Sequence, residues 1–249
     1  MKSKIYRLSV ITIMTITVFM APLILLTGCA KNVKKHILPP DVYYKKAIFY
    51  AGKHDYSGAA KNFKALIENY PTYHNTQKAE LKLGDAYYLG GKFIEAQGAY
   101  MDFIRLHPSS KYTPFAMYYA AMSYYKRKGA AGRTQSPLRH AKLMFEELVS
   151  KYPYSKYSKT ALKYIKTINI DLSENTFFTG LYYFNASLWK PAAYMFKAVL
   201  KRYPGMPIIP KTLYYLTVCY KNLNDKKTEN YYKNILRRDY PQSKYAKMA

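Results

Sequence analysis

The chain has 249 residues, with 40 Lys and Arg against 14 Asp and Glu and a formal charge of +26, so it can bury one or two sizeable cores and carries far more cation than solubility requires. Only 8 of the basic residues are Arg, the side chain suited to bidentate phosphate contacts, which weighs against a nucleic-acid partner. Two cysteines are too few for a disulfide framework.

The chain opens with Lys2, Lys4 and Arg7, followed by an uncharged apolar run from Leu8 to Leu26. That is the order of an export signal. In place of a small-residue cleavage site stands Leu26-Thr27-Gly28-Cys29, which resembles a lipoprotein box: the expectation is removal of residues 1–28, with diacylglycerol on the Cys29 thiol and an N-acyl chain on its new amino terminus. A membrane-spanning helix is the alternative for the apolar run, opposed by Pro22 within it and by a cysteine at its end. Two or more acyl chains hold a protein stably on a bilayer. Ala30 is not the acidic residue that retains such proteins in the inner membrane, so the resemblance implies the outer membrane, with the folded part on the periplasmic face. Three basic residues and no acidic ones leave with residues 1–28, so the 221 remaining residues keep +23. A solvated basic surface is the simpler reading of that charge, with anionic headgroups or an acidic partner as its functional version.

Residues 29–42 are short, polar and broken by Pro39-Pro40, as expected of a lipidated tether. Beyond them Tyr70-Pro71, His107-Pro108, Tyr152-Pro153, Tyr203-Pro204 and Tyr240-Pro241 recur at intervals in the range of stacked helix pairs. Eight residues before the first four prolines lie Phe63, Tyr100, Phe145 and Phe196; twelve before lie Ala59, Ala96, Ala141 and Ala192; fifteen before lie Tyr56, Phe93, Leu138 and Trp189. Large, small and large residues at this spacing make one apolar stripe on a helix, with the Ala allowing a neighbour close. Further back, Ala47/Tyr50, Gly84/Tyr87 and Gly180/Tyr183 imply a preceding helix in each unit. Proline ends each pair, and the Ser of Pro-x-Ser-Lys-Tyr at 108–112, 153–157 and 241–245 is placed to cap the next helix.

The exceptions are local. In the third unit Ala121 and Tyr124 lie eight residues too far from Leu138, the excess falling in the Gly-rich basic loop Lys126 to Pro137. The interval before Pro204 predicts extra helix between Tyr157 and Asn185. The last unit, with Thr217, Tyr220 and Tyr232, keeps only approximate register. Cys219 is expected to be a small buried side chain.

No catalytic constellation emerges. His36, His54, His74, His107 and His140 show neither His-Glu-x-x-His nor pairing with cysteine; no phosphate loop, dinucleotide turn or nucleophile elbow is present; and Glu146-Glu147 are neighbours that point apart on a helix. The expectation is a non-enzymatic protein without metal or cofactor.

The small-then-Tyr first helix and aromatic-x-x-Ala-x-x-x-aromatic second helix resemble the tetratricopeptide repeat. The resemblance implies an all-α, right-handed superhelical solenoid of about five helix pairs, bent between the third and fourth, with units 1–3 over 43–153 and units 4–5 over 154–249. In such proteins the first helices line a groove that holds an extended segment of a partner. Carried onto the matching helices, this implies Tyr44 and Ile48, then Leu81, Asp85 and Tyr88, then Tyr118, Met122 and Tyr125 as groove residues. Tyrosine suits the task, offering apolar area and a polar tip at small entropic cost.

The lipoprotein box, short tether, five repeats and insertion in the third together resemble the BamD (YfiO/ComL) family of outer-membrane protein assembly lipoproteins; "YYKKAIFYAGKHDYSGAAKNFKALIENYP" is similar to its first repeat and "AQGAYMDFIRLHP" to its second. That resemblance implies C-terminal repeats that bind the barrel protein BamA alongside other lipoproteins of the complex, and an N-terminal groove that meets the aromatic-ending signal of unfolded outer-membrane proteins. Other periplasmic repeat scaffolds, such as the Tol-Pal accessory protein of cell-wall coordination, share such turns, but residues 30–42 leave no room for their N-terminal coiled coil. A cell-wall enzyme with a helical domain and a basic polyanion binder are the remaining alternatives.

Overall fold

The computed structural model describes residues 37–130 and 134–248; Cys29, the expected signal and most of the expected tether lie outside them. The described residues form eleven helices: α1 (Pro40–Gly52), α2 (Tyr56–Asn69), α3 (Thr76–Leu89), α4 (Phe93–Leu106), α5 (Thr113–Lys126), α6 (Ser136–Lys151), α7 (Lys156–Asn185), α8 (Trp189–Arg202), α9 (Ile209–Asn222), α10 (Lys226–Asp239) and α11 (Lys244–Met248). No strand occurs among them. Each helix packs chiefly on its neighbours in sequence, which is the contact pattern of a helical-repeat solenoid. The last three residues of the span expected as a tether are helical: Pro40 already occupies the first turn of α1, where a missing N–H removes no helical hydrogen bond.

The second helices bury the stripe that their register predicts. Phe63, Tyr100, Phe145 and Phe196 are at most 1% exposed, and Ala59, Ala96, Ala141 and Ala192 are fully buried. A further buried position lies five residues before every proline: Leu66, Phe103, Leu148, Val199 and Leu236. Counting forward from the prolines gives the register of the first helices. Residues five, eight and fifteen beyond Pro71, Pro108, Pro153 and Pro204 are Thr76/Ala79/Ala86, Thr113/Ala116/Ser123, Ser158/Ala161/Ile168 and Ile209/Thr212/Cys219, all buried. In the first three of these sets the leading hydroxyl donates to the carbonyl just before the proline: Thr76 to Tyr70 (2.8 Å), Thr113 to His107 (2.7 Å) and Ser158 to Tyr152 (2.6 Å). These bonds satisfy carbonyls that the end of the preceding helix leaves without a helical partner. The Ser of Pro-x-Ser-Lys-Tyr accepts from the Tyr amide two residues on, at Ser110, Ser155 and Ser243, although only Ser155 caps a long helix.

The turn within each pair also has a fixed geometry. His54, Gly91, Ser187 and Asn224 all have φ between 56° and 74°, and each lies seventeen residues before its proline. Three of them are not glycine, so the left-handed turn is imposed by packing of the pair against the local preference of the residue. In the third pair the equivalent position, Ser136, is already the first residue of α6, and the predicted loop precedes it. Its described ends are pinned: Arg127 donates to Gln97 of α4 (2.9 Å), Lys128 pairs with Asp171 of α7 (3.0 Å), and the Gln135 amide donates to the carbonyls of Gly129 and Ala130.

The extra helix predicted before Pro204 is continuous with its neighbours. α7 runs 30 residues without a break, packing on α6 and α8 and burying Ser158, Ala161, Ile168, Leu172, Ser173, Phe177 and Gly180 along its length. Cys219 is fully buried, and burial pushes its thiol up to about 12.

Two glycines set how closely a pair can pack. A Cβ on Gly84 would stand 2.6 Å from the Tyr100 ring, and one on Gly180 the same distance from Phe196. Gly84→Ala is therefore expected to destabilise the chain by about 1–3 kcal/mol through overpacking. Gly91→Ala, where a Cβ meets nothing within 4 Å but φ is +74°, should cost about 1–2 kcal/mol through the backbone alone. Urea denaturation of the two variants measures both, and an unchanged midpoint for Gly84→Ala would contradict the close approach.

Candidate functional site

The first helices α3, α5 and α7 touch one another in turn, and their aromatic side chains form a continuous ladder. Tyr88 of α3 meets Tyr119 of α5 with ring centroids 5.1 Å apart. Phe115 and Tyr118 of α5 meet Tyr157 of α7 at 5.7 and 5.6 Å. Tyr118 and Tyr125 both reach Tyr164, at 6.3 and 5.1 Å. Every member is partly buried, packed on one side and open on the other. Most of these contacts are edge-on, the arrangement that places a positive ring edge on a negative face.

One carboxylate lies beneath the ladder. Asp85 accepts a hydrogen bond from the fully buried Tyr100 hydroxyl at 2.7 Å. Burial raises the Asp85 carboxyl above its usual range, against the Tyr100 hydrogen bond and the nearby Lys82, which both lower it. Burial likewise raises Tyr88, Tyr118 and Tyr119, so these phenols remain neutral donors at physiological pH. Cations sit at the ladder's end: Lys156 Nζ lies 5.1 Å from the Tyr157 ring and Lys128 Nζ 5.2 Å from Tyr125. The surface is apolar, rich in hydroxyl donors and edged with positive charge. It can hold an extended segment with aromatic side chains and a carboxylate.

Of the residues expected on the groove, the structure brings Asp85, Tyr88, Tyr118 and Tyr125 together. Leu81 packs partly buried beside them, against the core that holds Tyr100 and Phe103. Met122 belongs elsewhere: it is 5% exposed, in the core with Leu138, Phe145 and Ile168, because its position on α5 faces the second helix of its own pair. Tyr44 packs edge-on against Phe63 of α2, and Ile48 is exposed on α1. Phe115, Tyr119, Tyr157 and Tyr164 complete the ladder and were not singled out from the sequence. The signal for the last two is the forward register from Pro153, which marks the start of α7 as another first helix. Cys29 lies outside the described residues. No described helix is long and apolar enough to cross a membrane.

Paired helices in one register, stacked so that aromatic first helices adjoin, define a helical-repeat scaffold of the tetratricopeptide kind. A family model described as YfiO, outer membrane lipoprotein, matches residues 38–236, and the chain belongs to that family. It is similar to the outer membrane protein assembly factor BamD of Xylella fastidiosa strain Temecula1, with 26% identity over 93% of this chain and 84% of that one, and to BamD of Rickettsia prowazekii, with 27% identity over 89% of each. BamD of Neisseria meningitidis serogroup B strain MC58 is 24% identical over 78% of this chain and 76% of that one. The crystal structure of MamA overlaps 82% of this chain and 92% of its own at a TM-score of 0.37 and 15% identity.

Because Asp85 is raised, it favours the folded chain at pH below its unfolded value, and that contribution is lost as pH rises through the folded value. Tyr100→Phe removes the hydrogen bond that opposes the shift. The Asp85 titration should then move further up, with a stability loss of about 1–3 kcal/mol at neutral pH. Carboxyl carbon NMR of the variant reads the first, and denaturation the second; a titration that moves down would contradict the assignment of the Tyr100 hydroxyl as donor.

Proposed function

We propose that this chain is a non-enzymatic scaffold of outer-membrane protein assembly, held on the periplasmic face of the outer membrane by lipid on Cys29. The observation that carries the proposal is the likeness to proteins named outer membrane protein assembly factor BamD over 84–89% of the length of two of them. In this reading the chain joins a BamA-like barrel protein and other lipoproteins of the complex through units 4–5. Units 1–3 meet unfolded outer-membrane proteins, on an aromatic ladder that the first turns of α7, at the start of unit 4, complete. The ladder's chemistry supports that role, since its rings offer stacking area to an aromatic side chain and the exposed Lys156 can meet a terminal carboxylate. No nucleic acid, metal or cofactor is invoked.

Affinity capture of the membrane-extracted protein, followed by mass spectrometry, should recover a large barrel protein of the BamA kind. Recovery of cell-wall synthases or Tol-Pal components without it would overturn the assembly role. The groove has its own test. A peptide ending in an aromatic residue and a free carboxylate should bind the protein, and amidating that carboxylate should weaken binding by roughly tenfold, the loss of about one charge-assisted hydrogen bond. Equal affinity of the two peptides by calorimetry would remove the carboxylate from the recognition.

A further inference from the structure

Exposed apolar side chains concentrate at the start of the described chain. Ile37, Val42, Ile48 and Phe49 are 53%, 36%, 41% and 61% exposed, all within or just before α1. At the helical period, Val42, Lys46, Phe49 and Lys53 fall in one stripe with Lys45 at its edge, while Tyr43 and Ala47 are buried on the side that packs on α2. All three lysines are exposed, and Lys53 Nζ lies 5.9 Å from the Phe49 ring. Asp41, the sole carboxylate of α1, lies outside this stripe and is engaged by the Tyr73 hydroxyl. The outward face of α1 is thus apolar and cationic with no carboxylate in it, the composition of a helix that lies in an anionic headgroup layer.

Chain length supplies the second observation. Cys29 precedes Pro40 by eleven residues, which span at most about 40 Å when fully extended. A lipid on Cys29 would keep α1, itself only about 20 Å long, within reach of the bilayer at all times. We infer that α1 is a membrane-contact helix, with Val42 and Phe49 entering the acyl boundary of an anionic phospholipid surface and Lys45, Lys46 and Lys53 meeting its headgroups. The inference rests on the lipoprotein reading above for its reach, and on exposure and charge for its chemistry. Such a contact would fix the orientation of the first repeat relative to the membrane, which a lipidated tether alone would leave free.

The test uses full-length protein purified with its lipid and reconstituted in vesicles of phosphatidylethanolamine and phosphatidylglycerol with brominated acyl chains. With the native Trp189 replaced by Phe, a tryptophan at position 49 (Phe49→Trp) should emit at shorter wavelength and lose roughly half its intensity to the bromines. A tryptophan at position 182 (Tyr182→Trp), on an exposed site of α7, should do neither. Adding Lys45→Glu, Lys46→Glu and Lys53→Glu to Phe49→Trp should release the quenching. Quenching at 49 no greater than at 182 would overturn the inference. The mass of the Cys29 peptide from the same preparation reads the anchor separately. A peptide without acyl groups would refute the lipoprotein reading, and quenching at 49 on added vesicles would still decide whether α1 meets lipid.

Discussion

The structure depends on how closely two helices of a pair can approach. Where the first helix carries Gly84 or Gly180, the second lays an aromatic ring on its backbone, Tyr100 in one pair and Phe196 in the other. The ring fills the space that a side chain would otherwise take, and its own burial is a large apolar gain for the pair. In both of these pairs the left-handed turn, at Gly91 and at Ser187, joins the two seated helices.

In the second pair the seating also shapes the candidate site. Tyr100 is packed on Gly84, and its hydroxyl reaches the carboxylate of the next residue of α3, Asp85. A side chain buried for packing therefore holds a partly buried carboxylate in place under the aromatic ladder. Phe196, in the equivalent position of the fourth pair, has no hydroxyl, and Leu181 stands where Asp85 would be. The same packing solution thus carries a polar device in the N-terminal half and a purely apolar one in the C-terminal half, a chemical difference between the halves that the common register conceals.

Much of the fold was legible because the prolines punctuate the chain. Counting back from them located the buried Phe63, Tyr100, Phe145 and Phe196 and their Ala partners, and the displaced Ala121 and Tyr124 revealed the loop of the third pair. The left-handed turn was not legible: His, Gly, Ser and Asn occupy it, with no residue type in common, since tertiary packing sets the conformation. The candidate site was read less completely. Periodicity separates the sides of a helix but does not say which side faces the next pair, so Met122 was expected on the groove and lies in the core. Tyr157 and Tyr164 were overlooked because α7 begins as a first helix but has Lys166 where Gly84 and Ala121 stand in α3 and α5, so the small-then-Tyr signature is absent.

That missing small residue has a mechanical consequence. With no pair to close midway, α7 continues as an unbroken rod about 45 Å long, its first turns contributing Tyr157 and Tyr164 to the ladder and its last turns receiving Phe196. A rotation of this rod about its own axis turns both ends by the same angle. The two halves of the molecule therefore share one axle, and a torque applied at the C-terminal end of α7 reaches the aromatic rungs without passing through a hinge.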